Sequence, residues 1–97
     1  MENNVRYTHF TPNKNEKQIC SDLLKRINDM APSNSFIAAF VDQDIDGNYK
    51  ASISVDAVCG NFHVESLDCS LVNSFRKAQK DLLRNLNEWK SQRFLHS

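Results

Sequence analysis

Apolar and polar residues change their spacing twice in the second half of the chain. Residues 49–57 alternate between the two types, which predicts a strand with one buried and one solvent-facing side. A turn with glycine follows at residues 59–61, and a second alternating run at residues 62–66 predicts the other strand of a hairpin. From residue 71 to residue 89 apolar residues recur at steps of three and four, which is typical of an amphipathic helix.

The first half supplies two more strands and one more helix. A short alternation at residues 5–8 predicts the first strand. Thr11-Pro12 is suited to begin a helix, because threonine caps free N–H groups and proline lacks the donor that would be left unpaired. An apolar stripe from residue 19 to residue 30 continues this helix until Ala31-Pro32. Residues 36–41 are apolar on both faces, which favours a central strand, paired on each side and at least partly covered.

The predicted order is β-α-β-β-β-α in a single domain that spans residues 1–97, a length that suffices for one modest core. Each helix has one apolar stripe and the later strands have one apolar face. The simplest way to bury them packs both helices on one face of a four-stranded sheet, which gives a two-layer α+β domain. The helical pattern is lost after Lys90, because Arg93 would lie on the apolar side, so residues 91–97 are expected to fray.

Composition and charge narrow the class of protein. With 40% apolar and 25% charged residues the chain has an ordinary globular composition, with neither a membrane-length apolar run nor a signal-peptide pattern. Three cysteines without a CxxC pair favour a reduced, cytoplasmic protein. The formal net charge is zero but segregated. Residues 31–68 contain six acids and one base, a net of −5, whereas residues 69–97 contain six bases and two acids, a net of +4. Such segregation bears on partners more than on fold.

Basic residues collect on one side of the predicted last helix. At about 100° per residue, four of them fall in one sector beside the buried stripe: Arg76, Lys77, Lys80 and Arg84. Lys90 near the end of this helix and Lys25 on the first helix complete the predicted RNA-binding set. Several charges on a rigid helix can meet RNA phosphates together. By themselves, the charges favour a merely solvated basic face over RNA contact.

The junction between the sheet and the last helix carries a set of positions found in one known family. They are an alanine, a turn glycine, an apolar-histidine pair, a short strand, an acidic cap, and a helix with basic residues and leucines at fixed steps: Ala57, Gly60, Phe62-His63, Val64, Asp68, Phe75, Lys77, Ala78, Leu82, Arg84 and Leu86. With the Thr11-Pro12 helix start and the order of elements, the chain resembles the ribosome hibernation-promoting factors, also called ribosome-associated inhibitor or sigma-54 modulation proteins. It would be a short form, without the C-terminal extension by which long members pair ribosomes.

The resemblance implies a protein that is not an enzyme and that binds the small ribosomal subunit near the decoding centre. There it would contact rRNA, occupy the space of mRNA and tRNA, and hold ribosomes inactive under stress. Members of the family are usually clearly basic, whereas this chain is neutral. That difference favours one alternative, a protein-interaction module of the same fold that has lost ribosome binding. A double-stranded RNA binder that uses the same helix face is another.

Two other groups of residues have the types that metal binding or catalysis needs, but not the arrangement. Residues 42–46 copy the first half of an EF-hand calcium loop, yet Ile53 stands where the closing glutamate is required, so an acidic hairpin turn is predicted. Cys59 and His63 lack a third group that would make a metal site or an activated nucleophile. The sequence therefore predicts no metal site, cofactor or catalytic residue, and leaves open whether the acidic turn binds a divalent ion weakly. Phe94-Leu95, beyond the helical pattern, is the predicted patch for weak self-association.

Overall fold

The computed structural model describes residues 5–58 and 60–95, with side chains through Ser91. Six elements follow one another in the predicted order β-α-β-β-β-α: β1 (Val5–Thr8), α1 (Lys14–Met30), β2 (Phe36–Gln43), β3 (Tyr49–Ala57), β4 (Gly60–Asp68) and α2 (Leu71–Leu95). The α+β fold class predicted from the sequence is thereby confirmed. The cysteine predicted at the turn between β3 and β4, Cys59, lies outside the described residues.

The four strands form one sheet in the order β1-β2-β3-β4. β1 runs parallel to β2, while the β2–β3 and β3–β4 pairs are antiparallel and joined by short turns. The parallel pair requires the long crossover that α1 provides, because parallel neighbours cannot be joined by a tight turn. β2 is therefore paired on both sides, as its apolar sequence predicts, and β4 forms one edge of the sheet.

One face of the sheet holds the core. Inward side chains of the strands, among them Val41, Ile53 and Val55, are fully buried together with the apolar stripes of both helices. α1 contributes Leu24 and α2 contributes Phe75 to this cluster. The two helices also touch each other, since the side-chain amide of Gln79 on α2 donates to the backbone carbonyl of Leu23 on α1 at 3.4 Å. Both helices thus pack on the same face of the sheet.

The opposite face of the sheet is open. Phe36 and Phe40 of β2 point to this side and remain 62% and 44% exposed. β2 is thus covered on its inner face only, since neither described helix is left to cover the outer one. We use the term open sheet face for this surface, to which β3 and β4 add mainly polar side chains.

α1 begins two residues later than Thr11-Pro12 predicts. Asn13 caps the helix: its side-chain oxygen accepts from the Glu16 backbone N–H at 2.8 Å, and the Glu16 carboxylate accepts from the Asn13 N–H at 3.0 Å. This reciprocal capping box satisfies two donors at once, which a threonine at position 11 could not do. Pro12 is instead buried ahead of the helix.

α2 begins after Ser70, whose hydroxyl accepts from the Asn73 backbone N–H at 3.4 Å. The cap expected from the family resemblance, Asp68, lies further upstream and accepts from the Ser70 N–H at 3.0 Å. At the other end the backbone stays helical through Leu95, whereas the loss of apolar pattern predicts fraying from Ser91. Backbone hydrogen bonds do not need an apolar stripe, and this stretch contains no proline or glycine to end the helix.

Candidate RNA-binding surface

The buried stripe of α2 fixes which side of the helix faces solvent. Phe75, Ala78, Leu82 and Leu86 are fully buried against the sheet and α1. Because side chains on a helix are held at fixed angles around its axis, this burial turns the basic sector outward. Four basic side chains on α2 are exposed, and we call them the α2 cationic surface: Arg76, Lys77, Lys80 and Arg84.

Two members of this surface are already paired with carboxylates. Lys77 Nζ lies 2.6 Å from Asp68 Oδ2, and Arg84 Nη2 lies 3.1 Å from Asp81 Oδ1 one helical turn away. The bond from Lys77, with help from the Ser70 N–H, holds the pKa of Asp68 below its usual range, and the same contact raises the pKa of Lys77. A phosphate that binds Lys77 or Arg84 must therefore compete with an internal anion.

Arg76 and Lys80 differ in this respect. Neither makes an ion pair or a side-chain hydrogen bond within the part of the chain that the structure describes. Both are exposed and lie four residues apart on one side of α2, which places them one above the other. They are the cations of the surface that a phosphate can reach without breaking a contact.

The remaining two predicted residues are not joined to this surface by any described contact. Lys90 lies on α2 but is only partly exposed, and Lys25 is exposed on α1. The bond between Gln79 and Leu23 brings the two helices together near Lys25 and Lys80. The placement of Lys25 and Lys90 in one surface with the α2 cations stays a prediction.

The acidic turn between β2 and β3 does not neutralise the α2 cationic surface. Asp42 accepts hydrogen bonds from Thr8 at 2.8 Å and from the His9 ring at 2.6 Å, and these bonds lower its pKa. Asp44 accepts the backbone N–H groups of Asp46 and Asn48, both at 2.9 Å. The predicted acidic hairpin turn is confirmed, and its carboxylates are largely occupied by the local chain. Among the described residues no group of three or more potential ligands is arranged to hold a metal ion.

The open sheet face carries a polar network that periodicity alone does not reveal. Ser54 Oγ lies 2.8 Å from His63 Nδ1, and Glu65 accepts from Lys50 at 3.1 Å while lying 4.0 Å from His63 Nε2. These residue types resemble a catalytic triad, but the side chains of His63 and Glu65 are 57% and 48% exposed. Acyl transfer needs preorganised oxyanion donors in a site that excludes water. We interpret the network as surface hydrogen bonding.

The described cysteines are separate from these features. Cys20 is buried in the core, where desolvation raises the pKa of its thiol, and Cys69 is exposed ahead of α2. His63 cannot be related to Cys59, which lies outside the described residues. The self-association patch predicted at Phe94-Leu95 falls on side chains that are likewise outside the description.

Comparison with known proteins finds similar structures but no matching sequence family. No protein-family model matches the chain, and no curated protein matches it significantly in sequence. Among solved structures it shares the two-layer α+β fold of the Thermus thermophilus Protein Y N-terminal domain, with a TM-score of 0.74 at 16% identity over 91% of this chain and 99% of that one. A ribosomal subunit interface protein from Coxiella burnetii superimposes with a TM-score of 0.76 at 11% identity, over 94% of this chain and 99% of that one.

The family resemblance seen in the sequence is consistent with these neighbours and is confirmed at the level of the fold. At identities this low the similarity establishes architecture, and function has to be argued from the surface. No helix in the described residues is both long and apolar enough to span a membrane.

Proposed function

We propose that this protein is a non-catalytic ribosome-binding domain that acts in the cytoplasm. It binds the small ribosomal subunit through rRNA, occupies the region that mRNA and tRNA require, and so holds ribosomes inactive under stress. The name of one structural neighbour, a ribosomal subunit interface protein from Coxiella burnetii, supports the ribosome as partner. The family resemblance of residues 55–90 supports the inhibitory role.

The observation that carries the proposal is the outward row of cations on α2. Arg76 and Lys80 are exposed, unpaired within the described chain, and held on a helix whose rotation is fixed by the fully buried Phe75 and Leu82. Phosphate contacts position a protein on nucleic acid and supply most of the salt-dependent affinity. Because the cations are preorganised, binding RNA does not require the helix to be ordered first.

A net charge of zero is compatible with this role, because the charges are segregated between layers. The acids of the β2–β3 turn bind His9, Thr8 and their own backbone at one end of the sheet. The four exposed bases of the α2 cationic surface lie in the other layer. Electrostatic attraction over distances beyond about 8–10 Å is screened at physiological salt, so the local surface decides phosphate binding more than the total charge does.

Lys77 and Arg84 are expected to contribute less to RNA binding than the unpaired cations do. Their partners Asp68 and Asp81 lie on or beside the same helix, so each pair is close to neutral until RNA displaces the carboxylate. The domain would consequently bind RNA more weakly than a relative with four unpaired cations. Weak, salt-sensitive binding suits a factor that must leave the ribosome when growth resumes.

A second candidate function is favoured by the open sheet face. Phe36 and Phe40 are exposed beside a polar network, and such a surface is more typical of protein contacts than of phosphate binding. A protein-interaction module that has lost ribosome binding would use this face and leave the α2 cations solvated.

Co-sedimentation with purified small subunits separates the two functions. A ribosome binder pellets with the subunits at low salt and is released steeply as salt rises. The interaction module stays in the supernatant at every salt concentration, which would refute the proposal. Equal binding to a plain RNA duplex would instead indicate a general double-stranded RNA binder. Inhibition of translation by the bound protein in a cell-free reaction tests the steric part of the proposal separately.

A further inference from the structure

β4 is a long sheet edge with no partner among the described residues. It spans the nine residues Gly60–Asp68 and pairs with β3 on one side only. Its register with β3 is continuous from one end to the other, without a bulge, and the strand contains no proline. Bulges and prolines are devices by which proteins block pairing at an exposed edge. β4 has neither, so the structure leaves this edge able to accept another strand.

The register identifies which backbone groups point outward. In a hairpin with a two-residue loop, the two residues that flank the loop form a hydrogen-bonded pair. Ala57 and Gly60 are paired and flank such a loop, so they form a hydrogen-bonded pair. Bonded pairs alternate in an antiparallel ladder, so the even-numbered residues of β4 bond to β3. The N–H and C=O groups of the odd-numbered residues therefore face the edge: Asn61, His63, Glu65 and Leu67. No described hydrogen bond occupies them.

We propose that β4 pairs antiparallel with β4 of a second copy of this chain, about a two-fold axis at Val64. This register aligns all nine residues, because Val64 is the centre of Gly60–Asp68. It also sets odd-numbered residues opposite odd-numbered ones, so that the outward N–H and C=O groups of one copy meet those of the other. Each such pair exchanges two hydrogen bonds.

Charge selects the second copy as occupant. About the Val64 axis, His63 of each copy stands opposite Glu65 of the other, so the same favourable pair forms twice. Moving the axis to residue 65 would oppose two glutamates, which is unfavourable. Moving it to residue 63 would oppose two histidines and lose both contacts between His63 and Glu65. Both side chains are about half exposed on the open sheet face and available for this contact. The strand is complementary to itself in length, hydrogen bonding and charge.

The pairing leaves the two unpaired cations of the α2 cationic surface free. On α2, Arg76 and Lys80 lie toward the side of Gln79, which contacts α1, whereas Lys77 lies toward β4 and contacts Asp68 at the end of that strand. The inference therefore goes beyond ribosome binding and does not depend on it. It also involves other residues than the Phe94-Leu95 patch predicted from the sequence.

Amide hydrogen exchange on the full chain, measured by NMR at two protein concentrations, tests the pairing residue by residue. At the higher concentration the amides of residues 63 and 65 gain protection by about tenfold or more, while the amides of residues 62 and 64 are already protected by β3 at both concentrations. An unchanged exchange pattern, or protection gained elsewhere on the surface, overturns the proposal.

Two matched substitutions test the charge pair by sedimentation equilibrium. His63→Lys places a cation opposite Glu65 and His63→Glu places an anion there, and both substitutions remove the imidazole that contacts Ser54. We expect the dimer dissociation constant of H63E to exceed that of H63K by about tenfold or more. Equal constants, or a wild-type chain that stays monomeric up to about 1 mM, overturn the proposal. Thermal unfolding of both variants checks that they are folded. The hydrogen-exchange experiment uses the unsubstituted chain and does not depend on either variant.

Discussion

Neutralising the two unpaired cations of the α2 cationic surface gives a sharp test of how this domain binds ribosomes. Arg76→Gln with Lys80→Gln removes two positive charges and leaves the ion pairs of Lys77 and Arg84 intact. Each phosphate contact contributes about 0.7–0.9 to the slope of log K against log salt. The double variant should therefore have a slope shallower by about 1.4–1.8.

The slope translates into a measurable difference in affinity. Between about 50 and 200 mM salt, the wild-type protein should lose about 7- to 12-fold more affinity than the double variant. Fluorescence anisotropy of a labelled chain titrated with purified small subunits at four salt concentrations provides both slopes. The substituted side chains are exposed, so unfolding curves should change little.

Arg6→Gln is the matched control, because Arg6 is an exposed arginine on β1, in the sheet layer and away from α2. It should leave the slope unchanged. If R6Q makes the salt slope shallower by as much as one of the two α2 substitutions is expected to, total charge governs the attraction and the proposed surface is wrong. If the double variant keeps the wild-type slope, Arg76 and Lys80 do not contact phosphate.

Three further predictions concern stability and the ion pairs. In urea unfolding, Phe75→Ala should lower the free energy of unfolding by about 3–5 kcal/mol, since Phe75 is fully buried. The control Val58→Ala, at an exposed residue, should lower it by less than about 0.5 kcal/mol. Asp81→Asn should release Arg84 and steepen the salt slope by up to about 0.9; a shallower slope would show that Asp81 helps binding. Because the pKa of Asp68 is lowered in the folded state, its contribution to stability is present above the ordinary aspartate range and is lost as pH falls through the folded pKa. Urea unfolding of Asp68→Asn at pH 7 and pH 3 should accordingly show a smaller loss of stability in acid than the wild type, and an equal loss would contradict the ion pair.

The apolar periodicity predicted the order of elements and the rotation of α2 correctly, because both are local properties of the sequence. Phe75, Leu82 and Leu86 recur at helical spacing and all three are fully buried. The start of α1 shows the limit of such signals. Asn13 and Glu16 form a readable capping box, but the stronger Thr11-Pro12 signal points two residues too early.

The ion pairs of Lys77 and Arg84 were harder to predict from the sequence. Asp81 and Arg84 are three residues apart on one helix, so their contact follows from helical spacing. Asp68 and Lys77 are nine residues apart and meet only because the chain folds back between β4 and α2. The exposure of Phe36 and Phe40 depends on both helices choosing the other face, which the pattern of β2 alone does not encode.

The parallel pairing of β1 with β2 has a consequence for the order in which the molecule assembles. β2, β3, β4 and α2 are consecutive and joined by tight connections, so they can form from neighbouring parts of the chain. Val5, by contrast, can reach Ala39 only after α1 has closed a long loop, and the four-residue strand offers little in return. β1 is therefore expected to join the folded sheet last and to detach first. Its detachment would expose the edge of β2 while the three-stranded sheet of β2, β3 and β4 stays intact.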